Sequence, residues 1–156
     1  MAKKCDNTSV GVLIYNDRGD TLMNERMKYP FGFAPPAGHL DGDEPEDGAK
    51  REIKEEVGLE IDILKLVMHR KLDNLCRREG GDWHDWHVYG ALRWHGDVKR
   101  SEDETKQVIW LPRSEIGALA ERTTAYLLGA ISEKEWQERP GLEVVWYEIF
   151  KILEII

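Results

Sequence analysis

Cysteine is scarce in this chain of 156 residues, with only Cys5 and Cys76 present. The two lie far apart and share no CxxC-type spacing, so neither a disulfide framework nor a zinc or redox motif is legible. Both are expected to be free thiols, as in a reducing compartment. Long apolar runs are also missing. No stretch reaches the roughly 20 apolar residues that span a bilayer. The segment Met1–Asp6 has no apolar run of the kind a secretory leader needs. A membrane role is therefore not expected, and a cytoplasmic setting is. Positive charge is in deficit: 22 Lys and Arg stand against 30 Asp and Glu, a formal net charge of −8. With no basic stripe to displace counterions, duplex nucleic acid is not an expected partner. An acidic protein that handles an anionic substrate needs a metal to reverse the local sign.

Hydrophobic residues make up 41% and charged residues 33% of the chain, an ordinary globular balance. The length suits one domain, taken as 1–156, that can bury about 70% of its unfolded surface without staples. No repeat or linker divides it. Val10, Val12 and Ile14 alternate with Gly11, Leu13 and Tyr15, which predicts a strand over Thr8–Tyr15 buried on both faces. A turn at Asn16–Asp20 leads to a second strand, Thr21–Met27. Phe31–Asp41 is too rich in Gly and Pro for a helix. Pro45 suits a first helical position and Gly58 a stop, so a helix is expected between them. Ile61–Arg70, Trp86–Trp94 and Val108–Leu111 read as strands, and Cys76–Asp82 as a polar loop. Ser114 and Ser132 each read as a helix N-cap. A last helix follows Pro140-Gly141. Its stripe of Leu142, Val145, Trp146, Ile149, Leu153 and Ile156 reads as core or as the contact of a homodimer. The mixture predicts an α/β (α+β) layered domain, a mixed β-sheet sandwiched between helices.

The chemistry concentrates between Gly38 and Leu59. At about 100° per residue, Ala49, Ile53 and Val57 form one apolar stripe, and Glu52, Glu55 and Glu56 fall on an adjoining arc. Like charges at these spacings repel by a few tenths of a kcal/mol per pair. A bare Glu-x-x-Glu-Glu is most often a solvated acidic face. Here a Gly-rich turn stands directly before the helix, where backbone can approach a metal and phosphates closely. A hard divalent cation would relieve the repulsion, since magnesium takes carboxylate oxygens and keeps several waters.

The segment Gly38-His39-Leu40-Asp41-Gly42-Asp43-Glu44, followed by Arg51-Glu52-Ile53-Lys54-Glu55-Glu56-Val57-Gly58-Leu59, resembles the Nudix box. Gly38 and Glu44 have the family spacing, and Arg51 to Leu59 matches throughout. Only Pro45 to Lys50 separate Glu44 from Arg51, one position fewer than the family pattern. The missing position corresponds to the usual Ser or Thr cap, a role then left to Asp43 or Glu44. Counted back from the helix, Asp43 takes the first acidic position.

The resemblance implies a Nudix fold and a pyrophosphohydrolase, with water attacking phosphorus in a nucleoside diphosphate linked to another moiety. Nucleoside triphosphates, oxidised ones, nucleotide sugars and dinucleoside polyphosphates all satisfy that description. It also implies Mg2+, with Mn2+ able to substitute. Glu52, Glu55 and Glu56 are then metal ligands, and Glu52 and Glu56 catalytic, with Glu52 orienting or deprotonating the water. Arg51 would hold a glutamate by a charge-assisted hydrogen bond, and the carbonyl of Ala37 or Gly38 would add an oxygen. Many members carry a further acid before a late strand containing Trp, and Glu104 occupies that place. Gly38, Arg26 and Phe33 are candidates for substrate binding. Trp83 and Trp86 could also stack on a base. His84 and His87 flank Asp85, but no third and fourth ligands are visible for zinc.

A competing reading is a non-catalytic nucleotide sensor on the same fold, which would be expected to lose box glutamates that this chain keeps. An isoprenoid diphosphate isomerase would want a cysteine in Phe31–Gly38, which has none. If both cysteines are free, thiol titration of the denatured, unreduced chain counts two. A count of zero overturns that reading.

Overall fold

The computed structural model describes residues 3–156. Seven strands and four helices follow in chain order. They are β1 (Thr8–Leu13), β2 (Thr21–Arg26), β3 (Phe33–Ala34), β4 (Ala37–Gly38), α1 (Pro45–Val57), β5 (Glu60–Asp73), β6 (Trp83–His95), β7 (Thr105–Leu111), α2 (Arg113–Leu127), α3 (Glu133–Glu138) and α4 (Val144–Ile152). The strands divide into two sheets, β4-β1-β6-β5 and β3-β2-β7. The expected mixed sheet is thus split, with β1 and β6 parallel and the other pairs antiparallel. The two sheets meet where Leu22 N–H donates to the Ile14 carbonyl across the β1–β2 turn.

The alternation along β1 sorts its side chains onto two cores. Val10, Val12 and Ile14 pack against Ala49, Ile53 and Val57 of α1, with Leu22, Leu59 and Tyr89 around them. Leu13 faces the other way, toward Met23, Trp86, Val88 and the α4 residues Val145, Trp146, Ile149 and Phe150. The strand is buried on both faces because helices cover both. Four of the six residues of the C-terminal stripe, Leu142, Val145, Trp146 and Ile149, are buried in the chain's own core, whereas Leu153 is partly buried and Ile156 is exposed.

Helix ends differ from expectation in two places. Ser114 lies inside α2, and Pro112 holds the N-cap position with no side-chain cap. Proline's extended ψ and fixed φ start the helix two residues earlier. At α1 the N-cap is Glu44, but neither it nor Asp43 caps by side chain. Pro45 at the start of the helix removes one of the donors a cap would serve. Ser132 does cap α3, its Oγ accepting from Glu135 N–H at 3.1 Å. Gly58 ends α1 in the left-handed region, φ 77°, donating its N–H to the Lys54 carbonyl. The β5–β6 hairpin runs longer than its expected span, because paired main chain carries it through Lys71–Asp73, where only Leu72 is partly buried.

Gly11 marks a close contact between β1 and α4. A methyl group there would lie 2.4 Å from the Trp146 ring. Gly11→Ala should cost about 1–3 kcal/mol, the usual penalty for overpacking a filled core. Urea denaturation of the variant checks this. An unchanged midpoint would mean that Trp146 moves aside freely.

Candidate active site

The turn before α1 and the first sheet bring the box residues to the wall of an open cavity. Its volume is about 500 Å3, and Gly38, Glu52, Glu56 and Glu104 line it together with Arg26 and Trp146. Gly38 has a steric reason to be glycine. A Cβ at this position would stand 2.2 Å from the Glu52 carboxyl carbon. The backbone of β4 and the side chain of α1 occupy the same space, and only a missing side chain permits it.

Arg51 organises the turn. Its Nε donates to Asp43 Oδ2 at 2.7 Å, and one terminal nitrogen donates to Glu52 Oε1 at 2.9 Å. The other donates to the carbonyls of His39 at 3.1 Å and Leu40 at 3.3 Å. The planar five-donor guanidinium can join a helix, a loop and an acid at once, which a lysine cannot. The hydrogen bond that Arg51 donates to Asp43 holds it firmly protonated. Asp43, read from sequence as a possible cap, is therefore the partner of Arg51.

Glu56 is buried beside the apolar stripe. Asn24 Nδ2 donates to its Oε1, and Ala37 N–H donates to its Oε2 at 3.3 Å. Burial nevertheless dominates and pushes its carboxyl up to about 8, with Arg26 opposing and Glu104 and Glu52 adding to the rise. Burial likewise pushes Glu52 up to about 7, against the pull of Arg51. Glu55 differs: its side chain is 58% exposed and lies 3.5 Å from Arg51 on the outer face. The helix thus divides its three acids into two at the cavity and one at the surface.

The remaining candidates separate clearly. Arg26 lines the cavity, its Nε donating to the Pro30 carbonyl at 2.7 Å and standing 3.9 Å from Glu143. Glu104 faces Glu52 and Glu56 across the cavity, close enough to raise both. Phe33 packs against the core and does not line the cavity. Trp83 sits under the Lys71 ammonium, 4.2 Å from the ring centroid. Of the aromatics read from sequence as base-stacking, only Trp86 reaches the cavity wall. His84 and His87 point to opposite faces of β6. His87 stacks on His69, whereas His84 meets Cys5.

Several wall residues were not singled out from sequence. Lys28, Arg77 and Arg78 stand at the cavity, as do Glu143 and Trp146. Trp146 was read as core or as a homodimer contact. It is also the wall, and its buried indole N–H has no partner among the described residues. No periodicity distinguishes a core tryptophan from one whose edge meets a cleft.

A model of the NUDIX domain matches residues 6–128. The chain belongs to the Nudix hydrolase family. Solved Nudix structures share its fold. The MutT protein from Methanosarcina mazei Go1 has a TM-score of 0.67 at 19% identity, covering 99% of this chain and 96% of that one. A MutT NUDIX hydrolase from Burkholderia pseudomallei has a TM-score of 0.61 at 24% identity, covering 69% and 84%. Among curated relatives, an RNA pyrophosphohydrolase from Pseudomonas putida is 36% identical over 59 residues. That match spans only 38% of this Nudix chain and 37% of the relative.

The raised carboxyls have a consequence for stability without magnesium or manganese. Glu56 titrates near 8 in the folded chain against an ordinary 4.5. Between those values the folded chain holds a proton that the unfolded chain has released, so stability falls as pH rises. His39, lowered from 6.5 to about 4 by burial, acts in the opposite sense below about 6.5. The melting temperature in magnesium-free buffer should therefore fall between about pH 6.5 and 8. Glu56→Gln should flatten that slope. A wild-type slope no steeper than the variant's would contradict the burial argument.

Proposed function

We propose that this Nudix chain hydrolyses a phosphoanhydride bond in a small-molecule nucleotide, using Mg2+ with Mn2+ as a substitute. The observation that carries this reading is the cavity's mixed lining of acids and cations. Glu52 and Glu56 face Glu104 across it, and Arg26, Lys28, Arg77 and Arg78 also line it, Arg26 beside Glu143 and Arg78 paired with Asp41. The donor set suits a hard cation: carboxylate oxygens, two of them held where burial disfavours their charge. A cation there would offset that cost. When bound it polarises phosphoryl oxygen and lowers the pKa of a coordinated water.

The chain's own residues do the rest. Glu52 and Glu56 would hold the metal from inside and Glu104 from the facing loop, with Glu55 in reach only through a change of rotamer. Arg51 fixes Glu52, which accepts the proton of the attacking water as oxygen bonds to phosphorus and the bridging P–O bond breaks. Arg26, Lys28, Arg77 and Arg78 would neutralise the phosphates of substrate and leaving group. The Trp146 N–H and the Trp86 edge offer contacts to the remainder of the substrate. An adjoining apolar cavity of about 390 Å3, which shares Pro30, Asn74, Leu75 and Glu143 with the first, has room for a base or another apolar group. No helix among the described residues is long and apolar enough to cross a membrane. A cytoplasmic nucleotide pool remains the setting we infer.

A nucleotide library with magnesium, read by released phosphate or pyrophosphate, tests the reaction. RNA belongs in it, because relatives over part of the chain carry the name RNA pyrophosphohydrolase. Glu52→Gln and Glu56→Gln should each cut turnover at least about a hundredfold, the scale of losing a positioned acid–base group. Melting temperature should stay level or rise, since a costly buried carboxyl is gone. Wild-type turnover in both variants would sink the assignment. Tight binding without turnover in the wild type would favour the sensor reading.

A further inference from the structure

Four side chains from three distant segments converge at the wall of the same cavity, which His39, Cys76 and His84 help to line. Cys5 precedes β1, His39 follows Gly38 in the box turn, Cys76 lies in the β5–β6 loop and His84 is on β6. One ligand atom from each, a sulfur or a ring nitrogen, lies within 4.8 Å of all the others. Cys5 Sγ stands 3.8 Å from Cys76 Sγ, 3.5 Å from His39 Nε2 and 3.3 Å from His84 Nε2. A tetrahedral zinc with Zn–S of about 2.3 Å and Zn–N of about 2.0–2.1 Å implies ligand separations of about 3.8 Å for S···S and about 3.5 Å for S···N. The three edges from Cys5 Sγ lie within about 0.2 Å of these values. A disulfide would instead require about 2.05 Å between the sulfurs.

We propose that Cys5, Cys76, His39 and His84 form a tetrahedral Cys2His2 zinc site, separate from the carboxylate centre and structural in role. The donor types separate the two sites chemically. Thiolate and imidazole select zinc, whereas carboxylates suit magnesium. Four protein ligands leave no open coordination position, as expected of a structural site.

The surroundings are arranged for such an ion. Asn7 N–H donates to Cys5 Sγ at 3.2 Å and Arg78 N–H donates to Cys76 Sγ at 3.3 Å. In each case the donor lies two residues beyond the cysteine, where it can share the charge of a thiolate. Gly81 closes the loop, and a Cβ there would lie 2.1 Å from Cys76 Sγ. The tautomer of His84 is set from behind. Trp86 Nε1 can only donate, and it donates to Asn74 Oδ1 at 3.1 Å. That oxygen is also 3.0 Å from His84 Nδ1, which must therefore carry the proton. The Nε2 lone pair of His84 is left facing the sulfurs, the outer-shell arrangement common for zinc-bound imidazole.

The ion would bind two parts of the active-site wall together. His39 is adjacent to Gly38, and its carbonyl accepts from Arg51. The N-terminal segment is already paired to the Cys76 loop, with Cys5 N–H donating to the Glu79 carbonyl at 2.7 Å. Zinc would lock the box turn to both.

The test is metal content, independent of turnover. Tag-free protein, dialysed against excess magnesium without chelator, should retain about one zinc per chain by mass spectrometry. After zinc removal, Co2+ should give thiolate-to-cobalt charge transfer and the strong visible bands of a tetrahedral site. Cys76→Ser should lose both signatures and melt more than about 5 °C lower. If that variant fails to fold, the cobalt spectrum of the wild-type chain still decides. Absence of zinc together with a weak octahedral cobalt spectrum would overturn the site. So would loss of both thiols to a disulfide in the unreduced protein. None of these readouts depends on the proposed hydrolase activity.

Discussion

A helix carrying an apolar stripe next to an acidic one cannot bury the first without drawing part of the second inward. Ala49, Ile53 and Val57 dock against Val10, Val12 and Ile14, and that docking places Glu56 in a buried position. The carboxyl is met there by Asn24 and the Ala37 N–H. Most of the site follows. Glu52, one turn earlier, reaches the backbone of β4 so closely that residue 38 must lack a side chain. Glu55, further round the helix, is left outside. The strength of the hydrophobic docking, of order 1.5–3 kcal/mol for each large side chain buried, outweighs the repulsion among the acids.

Arg51 makes this arrangement specific. Five donors in one plane tie Asp43, Glu52 and two loop carbonyls to a single point. The box is one residue shorter than the family pattern, and the side chain expected to cap the helix is absent. The short turn survives because Asp43 anchors to Arg51 from the loop side and Pro45 needs no cap acceptor. The same turn carries His39, so the proposed zinc site and the carboxylate centre share one loop while using donors of opposite hardness. A deficit of positive charge overall is compatible with an anionic substrate, because four of the 22 Lys and Arg residues, Arg26, Lys28, Arg77 and Arg78, line the cavity.

Helix α1 was legible in full from the sequence, Pro45 to Gly58, as were the two-faced burial of β1 and the acids of the box. These are local or periodic properties: a proline that can only start a helix, a glycine free to adopt φ 77°, a spacing of four that makes a stripe. The Ser132 cap was legible for the same reason. What the tertiary structure alone decided is which residues meet across long separations. The split into two sheets depends on strand partners, and nothing within a strand names its neighbour. Phe33 and Trp146 are both aromatic residues near the C-terminal core, yet only Trp146 meets the cavity. Cys5 and Cys76 showed no metal spacing because their companions lie at 39 and 84. A ligand set assembled from three segments leaves no period and no motif, only a distance, and distance exists only once the chain has folded.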